Sequence, residues 1–164
     1  MARALVLGVG NILEKDEGLG VRAVEWLQAN VRFPANGQEV MLLDGGTSGL
    51  ELLGYLEGVD HLIVLDAIDA DKASGELIAL EGDAVPAFLR FKVSPHQVGV
   101  HDLLVAAKLL GCAPPTIAVL GLQPESLGVG LELSPTIAAR IELLARRALE
   151  QLRAWGYDCE VGPR

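Results

Sequence analysis

Short apolar runs rich in Val, Ile and Leu alternate with longer amphipathic stretches along this 164-residue chain. A continuous apolar run fits a strand buried on both faces of a sheet, and apolar residues recurring every three or four positions fit a helix packed over it. The pattern predicts strands over Ala4–Val9, Val40–Leu43, His61–Ala67, Glu76–Leu80 and Thr116–Leu122. It predicts helices over about Gly18–Asn30, Ser48–Leu56, Val98–Gly111 and Ser134–Trp155. Such alternation makes an α/β fold. The link from the third strand to the fourth, roughly Ile68 to Gly75, is shorter than a crossover to a parallel neighbour requires. The fourth strand is therefore expected to run antiparallel, in a mixed but mainly parallel sheet.

The length suits one core and is too short for two typical domains, so residues 1–164 are read as a single domain. The apolar window Leu103 to Leu122 raises the question of a membrane span. Lys108 and the pair Pro114-Pro115 would interrupt it, so it is read as a buried helix followed by a buried strand, without membrane insertion. Met1-Ala2-Arg3 and the apolar run after it faintly resemble a signal peptide, but the run leads into Glu14-Lys15-Asp16-Glu17 with no cleavage site. A net charge of −9 argues against a nucleic-acid surface and for a protein or small-molecule partner. Cys112 and Cys159 lack metal-type spacing and fit reduced structural thiols. A cytoplasmic, acidic monomer is the expectation that follows.

Ligands of open α/β sheets collect beyond the carboxyl ends of the strands. Glu17 falls there in the loop leaving the first strand, Asp44 opens Asp44-Gly45-Gly46-Thr47 after the second, and Asp66 ends the third. Each taken alone fits a cap or a turn, Asp44 best and Asp66 least. His96, in the loop Ser94-Pro95-His96-Gln97, reaches the same region. One imidazole and two carboxylates suit a divalent metal, nickel or zinc among them. His61, at a strand start, and His101, expected in the first turn of the following helix, rank well below His96. Asn11 and Asp16 are expected to shape the first loop through side-chain to backbone hydrogen bonds. There is no Gly-x-Ser-x-Gly elbow, no His-Glu-x-x-His helix and no P-loop. Gly8-Val9-Gly10 after the first strand keeps a dinucleotide-binding module as a rival, although Leu13 stands where the third glycine of that motif belongs.

Taken in order, Leu7-Gly8-Val9-Gly10-Asn11-Ile12-Leu13, Asp16-Glu17-Gly18-Leu19-Gly20-Val21, Asp44-Gly45-Gly46-Thr47, Asp66-Ala67, Ser94-Pro95-His96-Gln97 and Gln123-Pro124-Glu125-Ser126 closely resemble the motifs of hydrogenase maturation endopeptidases. The resemblance implies an α/β/α sandwich with a five-stranded sheet. It implies a peptidase, metal-dependent or aspartyl-type, that removes the C-terminal peptide of a [NiFe]-hydrogenase large-subunit precursor after nickel insertion. It further implies that Glu17, Asp66 and His96 bind metal, that the nickel arrives with the substrate, and that other divalent metals fit the same donors. Asp44 is the candidate for an auxiliary role, orienting a ligand or a water. A non-catalytic nickel-sensing chaperone with the same cleft is the alternative from another class.

Overall fold

A computed structural model describes residues 2–82 and 95–162, with the backbone alone over 95–99. In chain order the elements are β1 (Arg3–Val9), a 3-10 turn (Lys15–Gly18), α1 (Leu19–Asn30), β2 (Val31–Arg32), β3 (Glu39–Gly46), a 3-10 turn (Leu50–Leu52) and α2 (Leu53–Leu56). Then come β4 (His61–Ala67), β5 (Leu77–Glu81), α3 (Pro95–Leu109), β6 (Thr116–Leu122), α4 (Pro135–Ala138), α5 (Ile141–Ala154) and β7 (Glu160–Val161).

The main sheet has the order β3-β1-β4-β6-β5, parallel throughout except for β5, which pairs antiparallel with β6. The short link between β4 and β5 thus has the consequence expected of it. β1 and β4 are apolar and buried on both faces because helices cover both. One core joins Val6, Ile63 and Leu65 to α1 and α5 through Leu19, Val24, Leu27, Leu144 and Leu149. The other joins Leu5, Leu7, Leu62 and Val64 to α2 and α3 through Leu56, Val100 and Leu103. These two cores make the three layers of an α/β/α sandwich. Each fully buried Leu or Ile contributes about 2 kcal/mol of transfer free energy, so the central strands anchor the fold.

Some expected bounds move. The helix expected over Ser48–Leu56 shrinks to a 3-10 turn and the four residues of α2, in keeping with Gly49 and Gly54, which weaken a helical run. The helix expected over Ser134–Trp155 divides into α4 and α5 at Ala139 and Arg140. β3 continues through Asp44, Gly45 and Gly46, with a register shift opposite Gly8 and Val9. A two-stranded antiparallel sheet of β2 and β7, not foreseen, ties the chain after α5 to the end of α1. Among the described residues no helix is long and apolar enough to cross a membrane.

His61 opens β4 at the amino edge of the sheet and is structural, as its position suggested. Its Nδ1 lies 2.7 Å from the Tyr157 hydroxyl and its ring 4.9 Å from that of Trp155. His101 stands exposed in the second turn of α3 rather than the first. Burial, and then the negative charge of Asp60, push the Tyr157 phenol above its ordinary 10.0. The folded state therefore favours the neutral phenol. Its contribution to stability is complete below pH 10 and is lost as pH rises through the raised value. Tyr157→Phe is expected to cost about 1 kcal/mol near pH 7 and to flatten the alkaline fall in stability. Denaturant titrations at neutral and alkaline pH check both.

Candidate active site

The sheet order contains a switch point. From β1 the chain passes through α1 to β3 on one side, and β4 then lies on the other side of β1. The chain leaves β1 toward β3 and leaves β4 toward β5, at opposite edges of the sheet, and such a divergence opens a crevice beyond the carboxyl ends of the two strands. Glu17 and Asp66 lie at this edge. Glu17 belongs to the 3-10 turn between β1 and α1, a more regular setting than the loop expected, and is 3% exposed. Asp66 sits near the end of β4, is fully buried, and accepts a hydrogen bond from the Ala67 N–H at 2.8 Å. It shares the face of Leu62 and Val64, toward α3.

Two glycines make this placement possible. Gly10 adopts φ +134°, and its α-carbon lies so close to the Glu17 carbonyl that a side chain there would strike the oxygen. Gly121 of β6 is the register partner of Asp66 and packs equally closely against the Asp66 carbonyl. Gly8 likewise faces the Gly20 carbonyl and the Val24 side chain of α1. The glycines of the first motif are therefore used in packing a carboxylate-bearing turn against the sheet, and the dinucleotide reading loses its main support.

His96 is the second residue of α3, where a loop was expected, since the helix begins at Pro95 rather than near Val98. Proline at the first helical position is a start signal that periodicity alone overlooked. Ser94 lies outside the described residues, as does the His96 side chain. The backbone nevertheless fixes the end of the molecule. α3 leads into β6, which starts beside Asp60 through the Thr116 N–H to Asp60 carbonyl bond of 3.3 Å. Its 15 residues span about 22 Å, roughly the length of a seven-residue strand. The first turn of α3 is thereby returned to the carboxyl edge, on the face toward which Asp66 points. Among the described residues no three metal-binding side chains gather, and the His96 side chain is not one of those residues.

Asp44 stands apart. It is exposed and accepts the Gly46 N–H at 2.9 Å, a turn-type contact. In register with Gly8 and Leu65 it lies on the α1 face, opposite to Asp66. Together with Asn11, Leu13 and Thr47 it borders an open groove of about 300 Å³ beside the first loop. Asn11 accepts the Leu13 N–H at 3.0 Å, the local role expected of it.

Asp16 does more than shape its own loop. It is fully buried. Its carboxylate accepts the N–H groups of Glu125, Ser126 and Ser134 and the Ser134 hydroxyl, at 2.7 to 2.9 Å. These partners lie more than 100 residues away in sequence, which is why a local reading of the motif could not find them.

The family model described as HycI, hydrogenase maturation protease, matches residues 21–151. The hydrogenase 2 maturation protease of Escherichia coli is 45% identical over 157 residues, spanning 95% of this chain and 94% of that protein. The chain belongs to the hydrogenase maturation proteases. The hydrogenase expression/formation protein HupD of Rhodobacter capsulatus is 44% identical over 98% of this protease and 76% of its own length. Among solved structures, the maturating endopeptidase HybD from E. coli superposes with a TM-score of 0.87 at 44% identity, covering 99% of this protease and 98% of that chain. The [NiFe] hydrogenase maturation protease HybD from Thermococcus kodakarensis gives 0.72 at 27% identity, covering 91% and 98%. The protease is thus an endopeptidase of hydrogenase maturation, with the sandwich described above. Cysteine nucleophile chemistry finds no support in the fold. Cys159 lies beside β7, and burial raises its thiol above the ordinary range. Cys112 packs against the α3 core.

Proposed function

We propose that the protease removes the C-terminal peptide from a nickel-loaded [NiFe]-hydrogenase large-subunit precursor, and that Glu17, Asp66 and His96 engage the nickel carried by that substrate. The observation that carries the reading is the burial of two carboxylates from separate elements at one sheet edge, beneath the end where α3 begins. Burying carboxylates is costly, and a divalent ion entering with the substrate would offset that cost. Binding would then favour loaded over empty precursor by the differential affinity of the site for the ion. Carboxylate and imidazole donors suit nickel and other divalent metals. The ion, held between substrate and protease, would polarise the scissile carbonyl or a water as a Lewis acid. Asp44, at the groove rim, keeps an auxiliary part in orienting the peptide or a water. A macromolecular substrate is further supported by the loops flanking Glu17. There Leu13 is 58% exposed and Val129 91% exposed beside the hydrogen-bonded pair Leu13 and Gly130, apolar surface of the kind proteins present to partners. A cytoplasmic setting, where precursors are assembled and thiols stay reduced, accords with this reading.

The test is incubation of purified protease with its precursor in nickel-loaded and nickel-free forms, followed by intact-mass measurement. Loss of a C-terminal peptide from the loaded form alone is expected. Equal trimming of both forms would overturn the nickel checkpoint.

A further inference from the structure

We propose that Asp16 and Gln123 are positioning residues that set the spacing of Glu17 and Asp66, acting through the loop 123–134 as a buried polar brace. The inference rests on the reading of Glu17 and Asp66 as the groups that meet the metal, and it adds what holds them in place. Glu17 lies in the turn that follows β1 and Asp66 within β4; the β1–β4 pairing sets the two strands side by side, and the position of the turn relative to Asp66 depends further on what holds that turn.

The loop after β6 joins both. At its near end Gln123 is 7% exposed and turns its amide toward the segment that follows Asp66. Its Oε1 accepts the N–H groups of Ala70 and Lys72 at 2.8 and 3.1 Å, and its Nε2 donates to Asp69 Oδ1 at 3.0 Å. Its backbone N–H donates to the Glu76 carbonyl, and its carbonyl accepts from the Gly75 N–H. The chain leaving Asp66 is thereby held at both ends of its short excursion. Further along, the same loop closes on the turn that carries Glu17. Asp16 receives the four bonds from Glu125, Ser126 and Ser134, while the Asp16 N–H donates to the Ser126 carbonyl at 3.0 Å and the Lys15 N–H to the Gly130 carbonyl at 2.9 Å. Asp16 and Glu17 are consecutive residues of one 3-10 turn. Any shift of the Asp16 carboxylate within its cradle is passed directly to Glu17.

The Asp16 bonds are charge-assisted and short, a type stronger than neutral pairs. Asp16→Asn keeps the shape and leaves one oxygen to serve its donors, but it turns an amide NH₂ toward a backbone N–H. The turn must then rotate or retreat. Groups that orient metal ligands from behind typically change affinity 10- to 100-fold when removed.

The experiment compares wild type, Asp16→Asn, Gln123→Leu and Leu149→Ala, the last a destabilising control in the α5 core. Steady-state cleavage of nickel-loaded precursor and calorimetric titration with Ni²⁺ alone are run at a temperature where circular dichroism shows every variant folded. Both brace variants are expected to lose about 10- to 100-fold in kcat with little change in KM, and to weaken Ni²⁺ binding wherever wild type shows it. Leu149→Ala, with a comparable fall in melting temperature, is expected to keep wild-type kcat. Brace variants that melt earlier but retain wild-type kcat, or a control that loses as much, would overturn the inference. If wild type itself fails to discriminate loaded from empty precursor, the reading of Glu17 and Asp66 fails first, and the brace inference falls with it.

Discussion

Glu17→Gln and Asp66→Asn are each expected to lower cleavage of nickel-loaded precursor by about a thousandfold, the loss seen when an electrostatic group aimed at a transition state is removed. Both substitutions preserve size and shape, so the buried pocket at the carboxyl edge should still fill. What disappears is the negative charge proposed to hold a divalent ion. Affinity for loaded precursor should fall toward that for empty precursor, because only the difference between those states depends on the carboxylates. The fold should survive, since the amide fills the same volume and keeps an oxygen that accepts hydrogen bonds, such as the one Asp66 receives from the Ala67 N–H. Asp44→Asn is the contrast. Its carboxylate is exposed, bonds the Gly46 N–H and lies on the other face of the sheet, so at most about a tenfold loss is expected, the lower end of the range for groups that act through others. Intact-mass assays of cleavage, with melting curves beside them, check all three. Retention of full activity in Glu17→Gln would remove the basis of the proposed mechanism.

Gly121→Ala is expected to destabilise the protein by about 3 kcal/mol and to lower the melting temperature by about 10 °C for a chain of this size. A β-carbon at that position would press on the Asp66 carbonyl and come within 2.7 Å of the Ile68 side chain. Neither neighbour has room to retreat, because Asp66 and Ile68 are both fully buried and β4 is clamped between β1 and β6. The strain falls on the residue proposed to meet the metal. Activity should therefore decline even at temperatures where the variant is folded, whereas Ala148→Gly on α5, away from the site, should lower stability alone. Thermal denaturation combined with cleavage rates distinguishes the two effects.

Much of the fold follows from periodicity. β1, β4 and β6 announce themselves as unbroken apolar runs because both of their faces are covered, and α5 alternates strongly because only one of its faces is. The direction of β5 was legible from the length of a loop. Less legible were the short elements. α2 and the break between α4 and α5 depend on how single turns pack, and the pairing of β2 with β7 joins Val31 to Val161, a contact that no local pattern announces. The start of α3 was readable from Pro95 but was displaced by following apolar spacing instead.

The chemistry divides in the same way. Residue order alone determined the family, the α/β architecture and the candidacy of Glu17, Asp66 and His96, because ligands in open sheets gather at strand ends and the motifs mark those ends. Tertiary structure decided which carboxylates share a place. It set Asp44 on the opposite face through strand alternation, and it turned Asp16 into the centre of a buried clamp whose donors come from Glu125, Ser126 and Ser134. The physical reason is range. Propensity and periodicity act over a few residues, while the burial of a charge and the bonds that satisfy it are settled only when distant segments meet.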